Sequence, residues 1–228
     1  MTKKNTTMPP YISRFFPFII CLIVLLSPVF GFKYVGVQSL PVNPVRWVLS
    51  KHCTLKVNGS TNINKFSCTI PEYINPDTLI IEKVNKQQRV KIKGSIILGV
   101  QNFDCKNAMM TSDLRKTLKA KLYPKLIITF EDLSNYPDLA NPGTAITDPA
   151  HPATAITGFV TIELAGAVKR FEINYQYVMS ADNNLKLIGS KKVNFSDFNI
   201  IPPKRLGGMI KTNNELDVEF MLNIKILN

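Results

Sequence analysis

Alternation of apolar and polar side chains along the last segment, "NELDVEFMLNIKILN", constrains the fold of this chain most strongly. Successive side chains of a β-strand point to opposite faces of its sheet, so the segment predicts one apolar and one mostly polar face. The apolar face comprises Leu216, Val218, Phe220, Leu222, Ile224 and Ile226. Such a face must be covered, either by a packed core or by a ligand that fills a hollow.

The same period of two recurs through most of the chain after Pro44, for example in "QRVKIKGSIILGV", "VKRFEINYQYVMS" and "NLKLIGSKKVNF". Gly94 interrupts the first of these runs, and a glycine inside a strand indicates a bend or bulge. At least eight such strands without a βαβ rhythm fit either a sandwich or a closed barrel. The long, regular strands favour the barrel, and we predict an all-β, eight-stranded antiparallel β-barrel.

One segment breaks the period of two. In "NAMMTSDLRKTLKAKLYP", Met110, Leu114, Leu118 and Leu122 recur every four residues, which predicts an amphipathic helix that ends before Pro124. A helix of this kind usually covers the end of a sheet, and this interpretation is preferred to a membrane-facing helix.

The N-terminal residues 1–31 read as a signal peptide. Basic residues precede the apolar run "FFPFIICLIVLL", and Val29 and Gly31 occupy the positions that a signal peptidase reads. Pro17 and Pro28 shorten the run below the roughly 20 residues of a spanning helix, which disfavours an uncleaved membrane anchor. We therefore predict export to the periplasm or out of the cell.

The rest of the chain divides into a linker over residues 32–44 and a barrel domain over residues 45–228. Within the domain, residues 134–157 contain four prolines and many small residues, in "SNYPDLANPGTAITDPAHPATAIT". This composition excludes regular structure for most of the segment, which is interpreted as a loop insertion.

Charge adds little to the functional reading. The net charge is +12, and removing residues 1–31 takes away three basic and no acidic residues, which leaves +9. An exported basic protein could contact anionic lipid headgroups. However, the lysines are spread along alternate strand positions, as in "RVKIKG", which is typical of a solvated face, and nucleic-acid binding is not expected.

Three cysteines follow the signal peptide, Cys53, Cys68 and Cys105. An oxidising compartment predicts one disulfide and one free thiol, and spacing leaves all three pairings open. No CxxC motif is present, and the histidines are limited to His52 and His151. We therefore predict no metal site and no cofactor.

Four motifs in this order, "STNINKFSC", "FDCKN", "YPKLIITF" and "DFNIIPP", resemble the YceI-like family. These are lipocalin-like exported proteins associated with polyisoprenoid and other lipid binding, and the form is similar to that of Bacteroidetes-type bacteria. The resemblance covers roughly residues 45–227. It implies an extended eight-stranded antiparallel lipocalin-like barrel with one amphipathic helix covering an end. It also favours a Cys68–Cys105 disulfide, whereas hairpin geometry alone would allow Cys53 opposite Cys68.

Catalytic motifs are missing from the sequence. It contains no G-x-S-x-G, no H-E-x-x-H and no phosphate-cradling glycine loop. Asp197 and Asp104 are interpreted as structural residues rather than site carboxylates. We therefore predict a protein that is not an enzyme.

The predicted function is to hold an elongated apolar ligand, an isoprenoid or fatty-acid-like lipid, in a barrel tunnel. Any single inward residue could equally be part of an ordinary packed core, so the hypothesis concerns the inward residues as a group. The candidate ligand-lining residues are Phe66, Ile92, Ile96, Leu98, Ile128, Phe130, Ile162, Phe171, Ile173, Tyr175, Leu187, Phe195, Val218, Phe220 and Leu222.

Two other functions stay open. An envelope stress-response or adaptor barrel would act through its loops, with a filled core and no ligand. An enzyme acting on lipids or quinones would need a strongly perturbed acid or base, with Asp197 as the candidate. Contact with a membrane surface and pairing into a homodimer are also compatible with the sequence.

Overall fold

The structure is a computed structural model that describes residues 44–73, 77–82, 89–137, 156–179 and 184–227. Among these residues, one α-helix, α1, spans Ala108–Thr117. The strands are β1 (Val45–Leu49), β2 (Thr54–Ser60), β3 (Lys65–Ile70), β4 (Thr78–Glu82), β5 (Val90–Lys93), β6 (Ser95–Gly99), β7 (Lys125–Phe130), β8 (Asp132–Leu133), β9 (Ile156–Leu164), β10 (Ala167–Met179), β11 (Asn184–Asn194), β12 (Lys204–Arg205), β13 (Ile210–Lys211) and β14 (Glu215–Leu227).

The main sheet is antiparallel and closes on itself. Eight of the short strands are consecutive segments of four longer, interrupted strands: β1 continues into β2, β3 into β4, β5 into β6, and β7 into β8. β14 pairs with β1 and β2, which pair with β4 and β3. β4 pairs with β5, and β5 and β6 pair with β8 and β7. β7, β9, β10, β11 and β14 then follow in order. The four pairs and β9, β10, β11 and β14 make a ring of eight, as the alternation predicted.

Gly94 provides the bend predicted for its strand. It lies between β5 and β6 with a φ of 140°, a conformation that residues with a side chain rarely adopt. A Cβ atom at this position would lie 2.8 Å from Cδ2 of Leu79. The bend lets one continuous strand pair with β8 on one side of Gly94 and with β7 on the other.

The disulfide joins Cys68 in β3 to Cys105, just before α1. Cys53 is a buried free thiol, whose sulfur accepts a hydrogen bond from the backbone N–H of Asn223. In the register of β2 and β3, Val57 lies opposite Cys68. The alternative with Cys53 opposite Cys68 is therefore wrong, because the hairpin places Cys53 beyond the end of that ladder.

Helix α1 packs over one end of the barrel, as the resemblance implied. The Asn107 side chain caps it by accepting a 3.0 Å hydrogen bond from the backbone N–H of Met110. On its inner face, Leu114 is half-buried against the core and Leu118, at the C-cap, is buried. We call this end of the barrel the helix end.

The helix is shorter than the sequence predicted. It stops at Thr117, well before Pro124. Lys119 adopts a left-handed φ of 54°, which turns the chain, and Leu122 is exposed instead of continuing the apolar stripe. After the turn Ala120 is the residue buried against the core, so the leucine stripe ends at Leu118.

The opposite end of the barrel is filled by its own side chains, and we call it the packed end. These side chains come from six strands of the ring, β1, β4, β8, β9, β11 and β14. All are essentially inaccessible to solvent: Trp47, Leu79, Leu133, Ile156, Leu185 and Ile224.

Several predicted segments lie outside the described residues. They are the signal peptide, residues 32–43 of the linker, and residues 138–155 of the insertion. The two edges of the insertion are joined, because the N–H of Ser134 donates a 2.6 Å hydrogen bond to the carbonyl of Thr157. Nowhere in the described residues is there a helix of the length and apolar character needed to cross a bilayer.

Candidate apolar binding cavity

A cavity lies inside the barrel beneath α1. The centres of water molecules could occupy about 80 Å³ of it, and together with its opening the hollow holds about 850 Å³ free of protein atoms. Its lining residues come from six barrel strands, from α1 and its C-cap, from Phe103 and from the segment Phe195 to Ile200. They are Leu55, Val57, Phe103, Leu114, Leu118, Leu126, Ile128, Val160, Ile162, Leu164, Ile173, Lys191, Val193, Asn194, Phe195, Phe198, Ile200, Leu216, Val218 and Phe220.

Three aromatic rings close the cavity toward the packed end. Phe220 meets Phe130 and Tyr175 edge-to-face, with ring centroids 6.5 Å and 5.8 Å apart. Such contacts add about 0.5–1.5 kcal/mol each beyond the area they bury. The rings therefore form a stable partition across the middle of the barrel.

Gly189 makes room for this partition. It lies directly opposite Phe220 in the ladder between β11 and β14. A Cβ atom on Gly189 would lie 2.2 Å from Cζ of Phe220, so even alanine would displace the ring. The position of the partition is thus set by a glycine on an inward strand position.

A second, much smaller hollow of about 20 Å³ lies next to the partition. It shares Leu55, Ile128 and Phe220 with the cavity, and Cys53 and Tyr73 contribute to its wall. The Tyr73 hydroxyl donates a hydrogen bond to Asp77, and burial raises the pKa of Tyr73 above its ordinary value. Phe220 thus lies between the cavity and this smaller hollow.

Among the described residues on the cavity wall, one side chain is charged, Lys191. In β11 the buried residues Leu185, Leu187, Gly189 and Val193 share the inward register, and Lys191 falls in the same register. Lys191 is half-buried and forms no ion pair with any described residue. Its ammonium group is thus available to an anionic partner at the cavity.

The structure distributes the predicted lining residues over several places. Those on the cavity wall are Ile128, Ile162, Ile173, Phe195, Val218 and Phe220. Those on the smaller hollow alone are Ile96, Leu98, Phe130 and Leu222. Phe66 lines a neighbouring cleft on the outer surface. Buried in the core without lining any of these three spaces are Ile92, Phe171, Tyr175 and Leu187.

Sequence reasoning missed part of the wall. The inward alternation of β2, β9 and β11 was visible and contains Leu55, Val160 and Lys191. By contrast, Phe198 ends the short 3₁₀ helix Phe195–Phe198 and Ile200 follows it, in a segment where no strand period signals which side chains are buried.

The most perturbed carboxylates lie away from the cavity, on the outer wall. The Thr161 hydroxyl donates a 2.6 Å hydrogen bond to Glu131, and with Arg170 it lowers the pKa of Glu131. Two hydrogen bonds from Arg89 likewise lower the pKa of Asp132. These groups form ion pairs that stabilise the wall, and neither carboxylate contributes to the cavity lining.

The other candidate polar residues have local roles. Asp197 accepts a 2.8 Å hydrogen bond from the N–H of Asn194, as expected of a turn residue. Asp104 accepts one from the N–H of Lys106. His52 lies on an exposed turn, and His151 is outside the described residues. No group of three or more metal-ligating side chains occurs within the described residues.

No protein-family model matches the sequence, and no curated protein matches it. Among solved structures, the chain is similar to BcnA of Burkholderia cenocepacia, with a TM-score of 0.54 and 10% sequence identity. The match covers 77% of this chain and 96% of that chain. At so low an identity, this likeness establishes a shared fold alone.

Two further structures are less similar. A polyisoprenoid-binding domain from Saccharophagus degradans has a TM-score of 0.45 and 12% identity, over 79% of this chain and 97% of that chain. The YceI protein of Campylobacter jejuni has a TM-score of 0.39 and 15% identity, over 64% and 79%. The structural neighbours thus include YceI-like proteins, but the shared fold rests on BcnA, since TM-scores below 0.5 carry no structural argument.

Proposed function

We propose that this protein binds the apolar tail of a lipid-like ligand, such as a fatty acid or a polyisoprenoid, in the helix-end cavity and does not transform it. The observation that carries the proposal is the composition of the wall, in which Lys191 and Asn194 are the two polar residues among the twenty described lining residues. The motifs that resemble the YceI-like family support the same function. We also propose that the protein acts after export.

The size of the cavity limits what enters. The volume of about 80 Å³ open to water centres fits the end of one acyl or prenyl tail, and the wider opening would hold the rest of the ligand. Each buried CH₂ group contributes about 0.8 kcal/mol. The partition at Phe220 sets how deep the tail reaches, so the ligand is held by one end rather than threaded through the barrel.

Lys191 gives the ligand a preferred headgroup. An unpaired lysine beside an apolar wall favours a carboxylate or phosphate, because the charge then gains a partner without leaving the mouth. A hydrogen bond to a charged group contributes about 1.5–3 kcal/mol. We therefore propose a single-tailed anionic amphiphile as the ligand.

The same wall argues for binding without catalysis. Acid–base chemistry needs a proton donor or acceptor within reach of the ligand, and usually a second group to assist it. Among the described residues on the cavity wall, Lys191 is the sole titratable side chain.

A direct test is to purify the protein natively, extract it with organic solvent and identify the extract by mass spectrometry. Recovery of a single-tailed lipid is expected. If the extract is empty and a fluorescent fatty acid fails to bind, the cavity is not a binding site and the proposal is wrong.

The neighbouring lysine provides a matched control for the headgroup. Lys192 faces outward and pairs with Glu215, with 2.8 Å between Nζ and the carboxylate. Lys191→Gln should weaken binding of a fatty acid about tenfold or more and leave binding of its methyl ester unchanged. Lys192→Gln should change neither. Equal losses in both variants would contradict the assigned role of Lys191.

A further inference from the structure

Beside the cavity, the helix end presents large apolar side chains to solvent. Ile63, Met109, Leu206 and Met209 are each at least 60% exposed. Scattered exposed apolar residues are ordinary, but these four come from three neighbouring segments, the β2–β3 turn, α1 and the β12–β13 hairpin. Ile63 lines one cleft between these segments, and Met109, Leu206 and Met209 are each next in sequence to a residue that lines it. Together with Lys65, Lys204 and Lys211, we call them the mouth surface.

Hydrogen bonds fix the turn against the hairpin. The Asn62 side chain donates a 2.9 Å hydrogen bond to the carbonyl of Met209 and accepts another of 2.9 Å from the N–H of Lys211. Ile63 follows Asn62 directly, so its side chain is held close to the hairpin. The exposed apolar groups are therefore presented on a connected surface.

A second set of contacts ties the hairpin to α1. Nε of Arg205 donates a 2.6 Å hydrogen bond to Asp113, and a guanidinium nitrogen lies 3.2 Å from the sulfur of Met109. Because Arg205 is paired with Asp113, that carboxylate does not offset the lysines of the mouth surface.

The lysines leave an uncompensated positive charge. Lys204 and Lys211 are direct partners in the β12–β13 ladder, and like charges opposite each other destabilise such a pair. Among the described residues, neither they nor Lys65 form an ion pair. An anionic partner would relieve this repulsion.

The mouth surface is continuous with the cavity. The cleft beneath it, of about 160 Å³, is lined by Ile63, Phe66 and Arg205 among others. Leu114 and Phe195 line both the cleft and the cavity. A partner on this surface would thus sit next to the site proposed for the lipid tail.

We propose that the mouth surface docks on an anionic lipid bilayer, with Leu206 and Met209 in the interfacial region and the lysines against headgroup phosphates. Apolar side chains beside basic ones are the combination that binds such interfaces. A second copy fits less well, because a twofold contact would bring the same lysines together. Docking would allow the ligand to pass between the bilayer and the cavity. This purpose rests on the proposed function, whereas docking itself does not.

The single tryptophan of the chain allows a site-specific test. Trp47 is completely buried at the packed end. In Met209→Trp the added indole should be quenched by vesicles of phosphatidylcholine and phosphatidylglycerol with brominated acyl chains. Leu227→Trp, an exposed position at the packed end, is the control and should not be quenched. Because the readout is local, the full chain can be used.

The charge dependence is tested in the Met209→Trp background. Each lysine near an anionic surface contributes about fivefold in affinity, so Lys204→Gln with Lys211→Gln should weaken binding about 25-fold. Lys186→Gln with Lys225→Gln, both exposed on strand ends at the packed end, is the matched control and should leave it unchanged.

Three results would overturn the docking proposal: no quenching at position 209, equal quenching at position 227, or a dimer in sedimentation that Met209→Ser dissociates. Failure of the proposed function looks different. Lipid extraction and fatty-acid binding would then be negative while quenching at position 209 persists.

Discussion

The packed end and the helix end belong to one ring of strands, but side chains fill the interior at the packed end and leave it partly hollow at the helix end. Trp47, Leu79 and Leu185 fill the packed end and are essentially inaccessible. At the helix end, Leu164 and Val218 are half-buried and the space between the walls is left open. Alternation is equally good in both halves, so it establishes which side chains point inward, and their sizes decide whether a hollow remains.

The boundary between the two halves is the first place to test the comparison. Phe220→Ala should join the cavity to the smaller hollow, because the ring lines both. The free energy of unfolding should fall by about 3–5 kcal/mol. Preferred tail length, measured by competition among fatty acids, should increase.

A second phenylalanine separates these two effects. Phe171 is as well buried as Phe220 but lines neither hollow. Phe171→Ala should destabilise the protein without lengthening the preferred tail. If both variants shift the tail length alike, Phe220 is not the partition.

Loss of the disulfide should weaken the helix end. The bond between Cys68 and Cys105 closes a separation of 37 residues next to α1. Replacing both by serine should lower the free energy of unfolding by about 2–4 kcal/mol. Hydrogen exchange should rise first in α1 and β3, and an equal rise in β1 would show that the two ends are not independent.

Truncating one isoleucine at each end compares how tightly the two ends are packed. Ile224 is fully buried at the packed end, whereas Ile162 is half-buried on the cavity wall. Ile224→Ala should cost about 2–5 kcal/mol, and Ile162→Ala about 2 kcal/mol less, because its wall already faces open space. Urea unfolding measures both, and equal losses would mean that the cavity is filled in solution.

Of these predictions, acidification should have the smallest effect on stability, through the carboxylates of the outer wall. The pKa values of Glu131 and Asp132 are lowered in the folded protein by Thr161, Arg170 and Arg89. Their stabilising contribution is therefore complete above the ordinary pKa of about 4 and is lost as the pH falls through the lowered values.

Because these ion pairs are partly exposed, each should contribute about 1 kcal/mol or less. Unfolding measured between neutral and acidic pH should show this loss in the natural protein and a smaller one in Asp132→Asn. Binding of an uncharged methyl ester should change little, since no described carboxylate lines the cavity. A large loss of ester binding would link the outer wall to the cavity.

Much of the fold could be predicted, because apolar and polar residues alternate along a strand and show which side chains face inward. The bend at Gly94 and the ring of eight follow from that pattern and from the need to cover sheet edges. The Cys68–Cys105 disulfide came from the resemblance, since alternation buries Cys53 just as well. Leu122 was misplaced because a stripe of leucines does not reveal the left-handed turn at Lys119.

The site was less accessible to sequence reasoning, for a related reason. Inward position does not reveal depth along the barrel, so Leu187 and Ile173 looked alike although only Ile173 lines the cavity. The partition depends on Phe220 meeting Gly189 across two strands, a pairing that no single segment contains. Lys191 could have been found, because it interrupts an otherwise apolar register in β11.

Strand β14 is bonded on one side to β11 and on the other to β1 and β2. During synthesis β1 and β2 emerge long before β14, and the strand edges that pair with β14 lack their partner until it has left the ribosome. The ring cannot shut early, so a newly made chain stays in an open form until then.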